Sequence, residues 1–88
     1  MNVYSLSIIT PQELFLEGDV VSLCAPGGAG CLGVLAHHAP LIITLNAGLL
    51  DVTTPDGAKK AYQIGPGFLD VQDNKAILLT TSIQSIAS

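Results

Sequence analysis

If this sequence carries chemistry, it comes from one short stretch. Gly27 to Leu45 reads GGAGCLGVLAHHAPLIITL and gathers Gly27, Gly28, Gly30 and Gly33, one of the two cysteines, and both histidines. A glycine-rich run can cradle a phosphate on its backbone amides. GGAG, however, lacks the lysine and the serine or threonine of a P-loop and does not open a helix. Its glycines are read as serving tight turns and close backbone approach. A zinc site drawn from Cys24, Cys31, His37 and His38 matches no short-range ligand spacing, and adjacent histidines on a strand point to opposite faces. A hydrolytic triad needs a serine nucleophile beside a histidine and an acid to orient the base, and no serine here sits in an elbow motif. The expectation is therefore no catalytic residue, no metal and no cofactor. His38 keeps two readings. Held extended by the Ala39-Pro40 that follows, it is either a loop side chain bonded to local backbone or a polar contact at a partner interface.

The bulk composition narrows the class. Eighty-eight residues make one domain, residues 1–88, because a second core would not fit. The chain is 49% hydrophobic and only 11% charged, so part of its surface is expected to be covered by partners. A net charge of -4, with Lys59, Lys60 and Lys75 forming no patch, excludes nucleic acid, whose phosphates need neutralising. No apolar run is long enough to span a bilayer as a helix. MNVYSLSIIT reads as a first strand, not a signal peptide. On that reading Cys24 and Cys31 are expected as reduced, buried thiols.

The elements that would position these residues are strands. The hydrophobic period is two almost throughout. Tyr4, Leu6 and Ile8 share a face, as do Val21, Leu23 and Ala25; Leu50 and Val52 oppose Leu49, Asp51 and Thr53; Leu69 and Val71 oppose Asp70 and Gln72. Ile77, Leu78 and Leu79 are apolar on both faces, as expected of a central strand. Pro55-Asp56-Gly57 and Asp73-Asn74 mark hairpin turns, since proline presets φ while glycine, asparagine and aspartate tolerate the left-handed region. No segment shows a helical stripe of useful length. The pattern predicts an all-β, antiparallel two-sheet sandwich of about ten short strands.

The order of these features resembles the N-terminal β-sandwich domain of the epsilon subunit of the rotary F-type ATP synthase. The resemblance rests on the opening strand and its Thr10-Pro11 turn, on Gly33-Val34-Leu35 followed by His38-Ala39-Pro40-Leu41, and on Gly65-Pro66-Gly67-Phe68-Leu69 before the last long strand. It departs from the family pattern at Ala36, His37 and Pro66, and at Ala29 and Cys31, where acidic residues are common.

What the resemblance implies is a non-catalytic central-stalk subunit that couples proton flow to ATP synthesis. It would bind the gamma subunit and the ring of c subunits and belong to a complex carrying the alpha/beta catalytic head. Its expected place is the cytoplasmic side of the bacterial inner membrane, as a peripheral membrane protein. Thr10, His38 and Ile43 match positions facing gamma, and Gly28, Ala29, Gly30, Cys31 and Leu32 match the ring-facing loop. Family members usually continue into an α-helical hairpin that inhibits ATP hydrolysis; the sequence ends at Ser88, so coupling without that inhibition is expected. The reading from another class is a free-standing β-sandwich that binds a small apolar ligand.

Overall fold

Alternation decides the strands. In the computed structural model, which describes residues 2–28 and 30–86, Tyr4, Leu6 and Ile8 are buried while Ser5, Ser7 and Ile9 are only partly covered. The same rule produces ten strands: β1 Tyr4–Ile9, β2 Leu14–Val20, β3 Ser22–Gly27, β4 Gly30–Leu35, β5 Leu41–Leu45, β6 Gly48–Thr53, β7 Lys59–Ile64, β8 Gly67–Gln72, β9 Lys75–Thr80 and β10 Ile83–Ile86. Among the described residues there is no helix.

The strands form two five-stranded sheets, ordered β2-β1-β9-β8-β5 and β10-β7-β6-β3-β4. Their inner faces meet over one core built around Leu6, Ile8, Leu50, Ile64, Leu69 and Leu78, which is how a sandwich buries one face of each sheet. The expected all-β sandwich is the observed one. One pairing departs from strict antiparallel order: β1 lies parallel to β9, in register from Ser5↔Lys75 to Ile9↔Leu79. A parallel neighbour cannot be joined by a hairpin, so nearly the whole chain intervenes between these two strands.

The turns use the residues that mark them. Asp73 and Asn74 both have positive φ, at 51° and 59°, the geometry of a two-residue hairpin matched to strand twist. Gly57 has φ 88° in the turn joining β6 to β7, where Asp56 accepts from the Thr54 hydroxyl and from the Ala58 amide. Those donors hold the Asp56 carboxyl below its ordinary pKa. Gly67 has a different reason to be glycine: a Cβ there would run into the Leu79 carbonyl.

Two local expectations need correction. Val21 does not join Leu23 and Ala25 in one strand, because the chain bends there between β2 and β3. β9 is central in its sheet, but only Leu78 of its apolar triplet is buried; Ile77 and Leu79 stay 40% and 44% exposed on the outer face. After Ser82, β10 pairs with β7 from Ile83↔Ile64 to Ile86↔Ala61.

Candidate functional site

The stretch Gly27 to Leu45 folds into β4, β5 and the loop between them. β3 and β4 form a tight hairpin in which Gly27 pairs with Gly30. Gly30 has φ 114°, a conformation that side-chain-bearing residues avoid. The supposed loop at Gly28 to Leu32 is therefore much shorter: Gly30, Cys31 and Leu32 are already in β4, and Ala29 lies outside the described residues.

The cysteines are corrected too. Cys24 faces Gly33 and Cys31 faces Pro26, so the two are diagonal neighbours on β3 and β4 with Cα atoms 5.6 Å apart. That separation suits a disulfide, and the two sulfurs are joined as one. They are neither reduced nor fully buried; Cys31 is exposed. Two cysteines spaced to straddle a hairpin were the available signal.

The three residues matched to a gamma-facing surface do not converge. Thr10 is buried and closes the β1–β2 connection: its Oγ1 bridges to the Glu13 carbonyl and amide, both at 3.3 Å. His38 lies at the other end of β1, in the β4–β5 loop that is pinned where the His37 amide donates to Asn74 Oδ1 at 2.8 Å. Asn74 in turn donates to the Val3 carbonyl. The His38 ring approaches the Ala39 carbonyl through Nδ1 at 2.8 Å, which is the local-backbone bond of the simpler reading. Ile43 sits on the inner side of β5, opposite Leu69. There it joins Gly27, Gly28, Gly30, Cys31, Leu32 and Thr44 around an open groove of about 310 Å³. Ile43 therefore belongs spatially with the hairpin residues and not with Thr10. The hairpin end is tied to β5 by Asn46, whose amide donates to the Pro26 carbonyl at 2.8 Å.

A second surface was not singled out from the sequence. The outer face of the first sheet carries a row set by register: Leu14 beside Ile9, Ile9 beside Leu79, Leu79 beside Phe68. Leu14 and Phe68 are 54% and 52% exposed. Ile9, Leu79 and Phe68 of this row, with Thr10, Pro11 and Pro66, border an open groove of about 340 Å³. The signal was present in β9, whose apolar residues on both faces exceed what one core can bury. The composition anticipated such apolar surface.

Across the sandwich, Tyr4 donates its hydroxyl to the Val34 carbonyl at 2.7 Å. Burial pushes the Tyr4 phenol up to about 12, although a backbone hydrogen bond acts the other way. It is a structural group joining the sheets, with no reacting partner beside it. Among the described residues no three of His, Cys, Asp and Glu gather to hold a metal. Fold and surface together describe a β-sandwich contact domain, whose exposed chemistry is apolar side chains, a crosslinked hairpin and strand edges.

The chain belongs to the family described as ATP synthase, Delta/Epsilon chain, beta-sandwich domain, which it matches over residues 3–86. It is 42% identical over 80 residues to the ATP synthase epsilon chain of Chlorobaculum tepidum, covering 91% of each chain. It is 41% identical to that of Chlorobium limicola with the same coverage. The epsilon chain of Nitratiruptor sp. is 39% identical, and there the match spans 61% of the relative's length. Among solved structures, a chain of the Euglena gracilis mitochondrial ATP synthase, resolved as OSCP/F1/c-ring, superposes with a TM-score of 0.91 at 26% identity. It covers 97% of this chain and 54% of that one. A Tetrahymena thermophila central stalk/c-ring chain shares the fold, with a TM-score of 0.77 at 15% identity over 91% of this chain and 64% of that chain. The epsilon chain is a non-catalytic subunit of the ATP synthase complex.

Proposed function

We propose that this chain is a rotor subunit of the central stalk that couples proton flow to ATP synthesis by bridging the gamma subunit and the c-subunit ring. The observation that carries the reading is the near-complete superposition, 97% of the chain at a TM-score of 0.91, on a chain of a complex resolved with its F1 and c-ring. A coupling element transmits torque by stiffness and surface complementarity, not by bond chemistry, and a close-packed sandwich supplies both. The end of the β3–β4 hairpin, with Gly28, Gly30, Cys31 and Leu32, is the ring-facing end on this reading, and Ala29, outside the described residues, is proposed with them. Thr10, His38 and Ile43 are proposed to lie along the contact with gamma, Thr10 by shaping the β1–β2 turn since it is itself buried. The complex, with its alpha/beta head, would hold the chain peripherally on the cytoplasmic side of a bacterial inner membrane.

The sandwich alone is proposed to suffice for coupling, because its own surfaces make both contacts. The test is reconstitution of an ATP synthase depleted of its epsilon chain with residues 1–88. Restored ATP-driven proton pumping, without lowered hydrolysis, is expected. Hydrolysis that stays uncoupled from pumping would refute the coupling role, and strong inhibition of hydrolysis would refute the proposal that residues 1–88 couple without inhibiting.

A further inference from the structure

The Cys24–Cys31 crosslink stands apart from the core. Leu23, Ala25 and Val34 are the buried residues of β3 and β4, so both cysteines, which alternate with them, point to the outer face of the second sheet. Cys31 is exposed and Cys24 half-buried. Their neighbours leave the sulfurs open. Gly33, directly across from Cys24, has no side chain, and neither there nor at Gly30 would a Cβ meet any atom within 4 Å. Small domains use disulfides where a core is lacking. Here one continuous core packs without the crosslink, which joins two strands that are already paired, seven residues apart.

What the crosslink holds is one end of β4. That strand is a sheet edge, with only β3 beside it among the described residues. The two arms of the hairpin are anchored unequally. β3 has β6 on its other flank. Its end is tied to Asn46, which donates its backbone amide to the Pro26 carbonyl and its side-chain amide to the Gly27 carbonyl. β4 is fixed at its far end, where the Val34 carbonyl accepts from Tyr4. Its near end contains Gly30 and Gly33, which weaken a strand, and Leu32, only partly buried against the core. Beyond the pairing with β3 and the contact of Leu32, the sulfur bridge secures this end.

We propose that Cys24–Cys31 is a redox-modification site, a latch that a dithiol reductant opens, freeing the Gly30–Leu32 end of β4 while the Val34 end stays docked. A thiolate of the dithiol attacks the exposed Cys31 Sγ and forms a mixed disulfide. The bond between the two cysteines breaks, and Cys24 leaves as a thiolate that takes up a proton. The second thiol of the reductant loses its proton and attacks its own partner sulfur in the mixed disulfide. Cys31 is released and protonated in turn. The crosslink gains two electrons, and the dithiol is oxidised to a disulfide. Closure is the reverse exchange, with a disulfide as oxidant. Exposed disulfides are the labile ones, and a glycine-bearing edge strand with few buried contacts is the part of a sheet that opens most readily. On the reading that the chain is a stalk subunit, the freed end is the ring-facing one, so opening weakens that contact; this consequence alone rests on that reading.

The test uses the whole chain with dithiothreitol as the dithiol. Without denaturant, the reductant should open the crosslink. Two thiols should appear together on alkylation, while circular dichroism shows the chain still folded. Amides at the Gly30–Leu32 end should then exchange hydrogen about tenfold faster or more, ahead of those of β9. Cys24→Ser with Cys31→Ser should show that same fast exchange with and without dithiothreitol. A crosslink that opens only in urea is a structural staple, and β4 exchange unchanged on reduction means that the sheet alone holds the end; either overturns the proposal. Two free thiols persisting in oxidised glutathione overturn it as well. For the contact, the crosslinked chain and the double variant are added back to ATP synthase depleted of this chain. The crosslinked form should rebind about tenfold more tightly. Equal rebinding overturns the effect on assembly. Failure of both to rebind overturns the stalk reading, while the latch is judged on the exchange of the chain alone.

Discussion

Tyr4 shows what one side chain does in a two-layer fold. Its ring is buried at 3% exposure and its hydroxyl crosses to the Val34 carbonyl, so it packs the core and joins the sheets at once. Because the folded phenol titrates at about 12 against 10.0 unfolded, the folded state holds its proton more tightly. The stability this provides is complete below about pH 10 and is lost as the pH rises through 12. A two-unit difference corresponds to about 2–3 kcal/mol. Urea unfolding from pH 8 to 12 should show that decline, and Tyr4→Phe should remove the part due to Tyr4. At neutral pH the same variant should cost about 1–2 kcal/mol, because the Val34 carbonyl loses its partner. Single residues were the hardest to read in the sequence. Thr10 looked like surface and is buried, since its hydroxyl is consumed by the Glu13 backbone. Cys24 and Cys31 looked like separate thiols because diagonal placement depends on hairpin register, which the glycines around residue 29 obscure.

At the scale of elements, the β3–β4 hairpin combines a flexible composition with a fixed shape. Glycines at 27, 28, 30 and 33 specify register weakly, and the Cys24–Cys31 crosslink pins it at a separation of seven residues. Closing a loop this short should stabilise the fold by about 2–3 kcal/mol on chain-entropy grounds. A reductant, or Cys24→Ser with Cys31→Ser, should lower the unfolding free energy by about that amount and raise hydrogen exchange in Gly30–Leu35 first. A midpoint unmoved by reduction would show that the sheet alone fixes the hairpin. Elements were the most legible level. The alternation at Tyr4–Ile8 and Leu69–Val71 and the turns at Pro55-Asp56-Gly57 and Asp73-Asn74 all appear as read. β10 was not legible, because Ile83 and Ile86 carry too little apolar pattern; its place is decided by β7, which offers an edge. The outer face of β9 was visible as apolar excess, but only the sheet order shows which of that excess the core leaves uncovered.

For the molecule as a whole, the decisive feature is that β1 closes on β9 in parallel. Pairings between distant parts of a chain bear a loop-closure cost before they return anything. Refolding should accordingly take milliseconds to seconds, in the range of β-sandwiches, and stopped-flow dilution from urea would measure it. A microsecond phase carrying the full amplitude would contradict the topology. The same pairing has a consequence for synthesis. A ribosome adds about 5–20 residues per second, so roughly 4–14 s pass between translation of Ser5 and of Lys75, its partner on β9. During that interval the first strand has only β2 beside it in its own sheet, and the flank that β9 will occupy stays unpaired. The first-made strand of the sandwich is thus completed by its ninth. For those seconds the newborn chain depends on whatever shields nascent apolar strands in the cell that makes it.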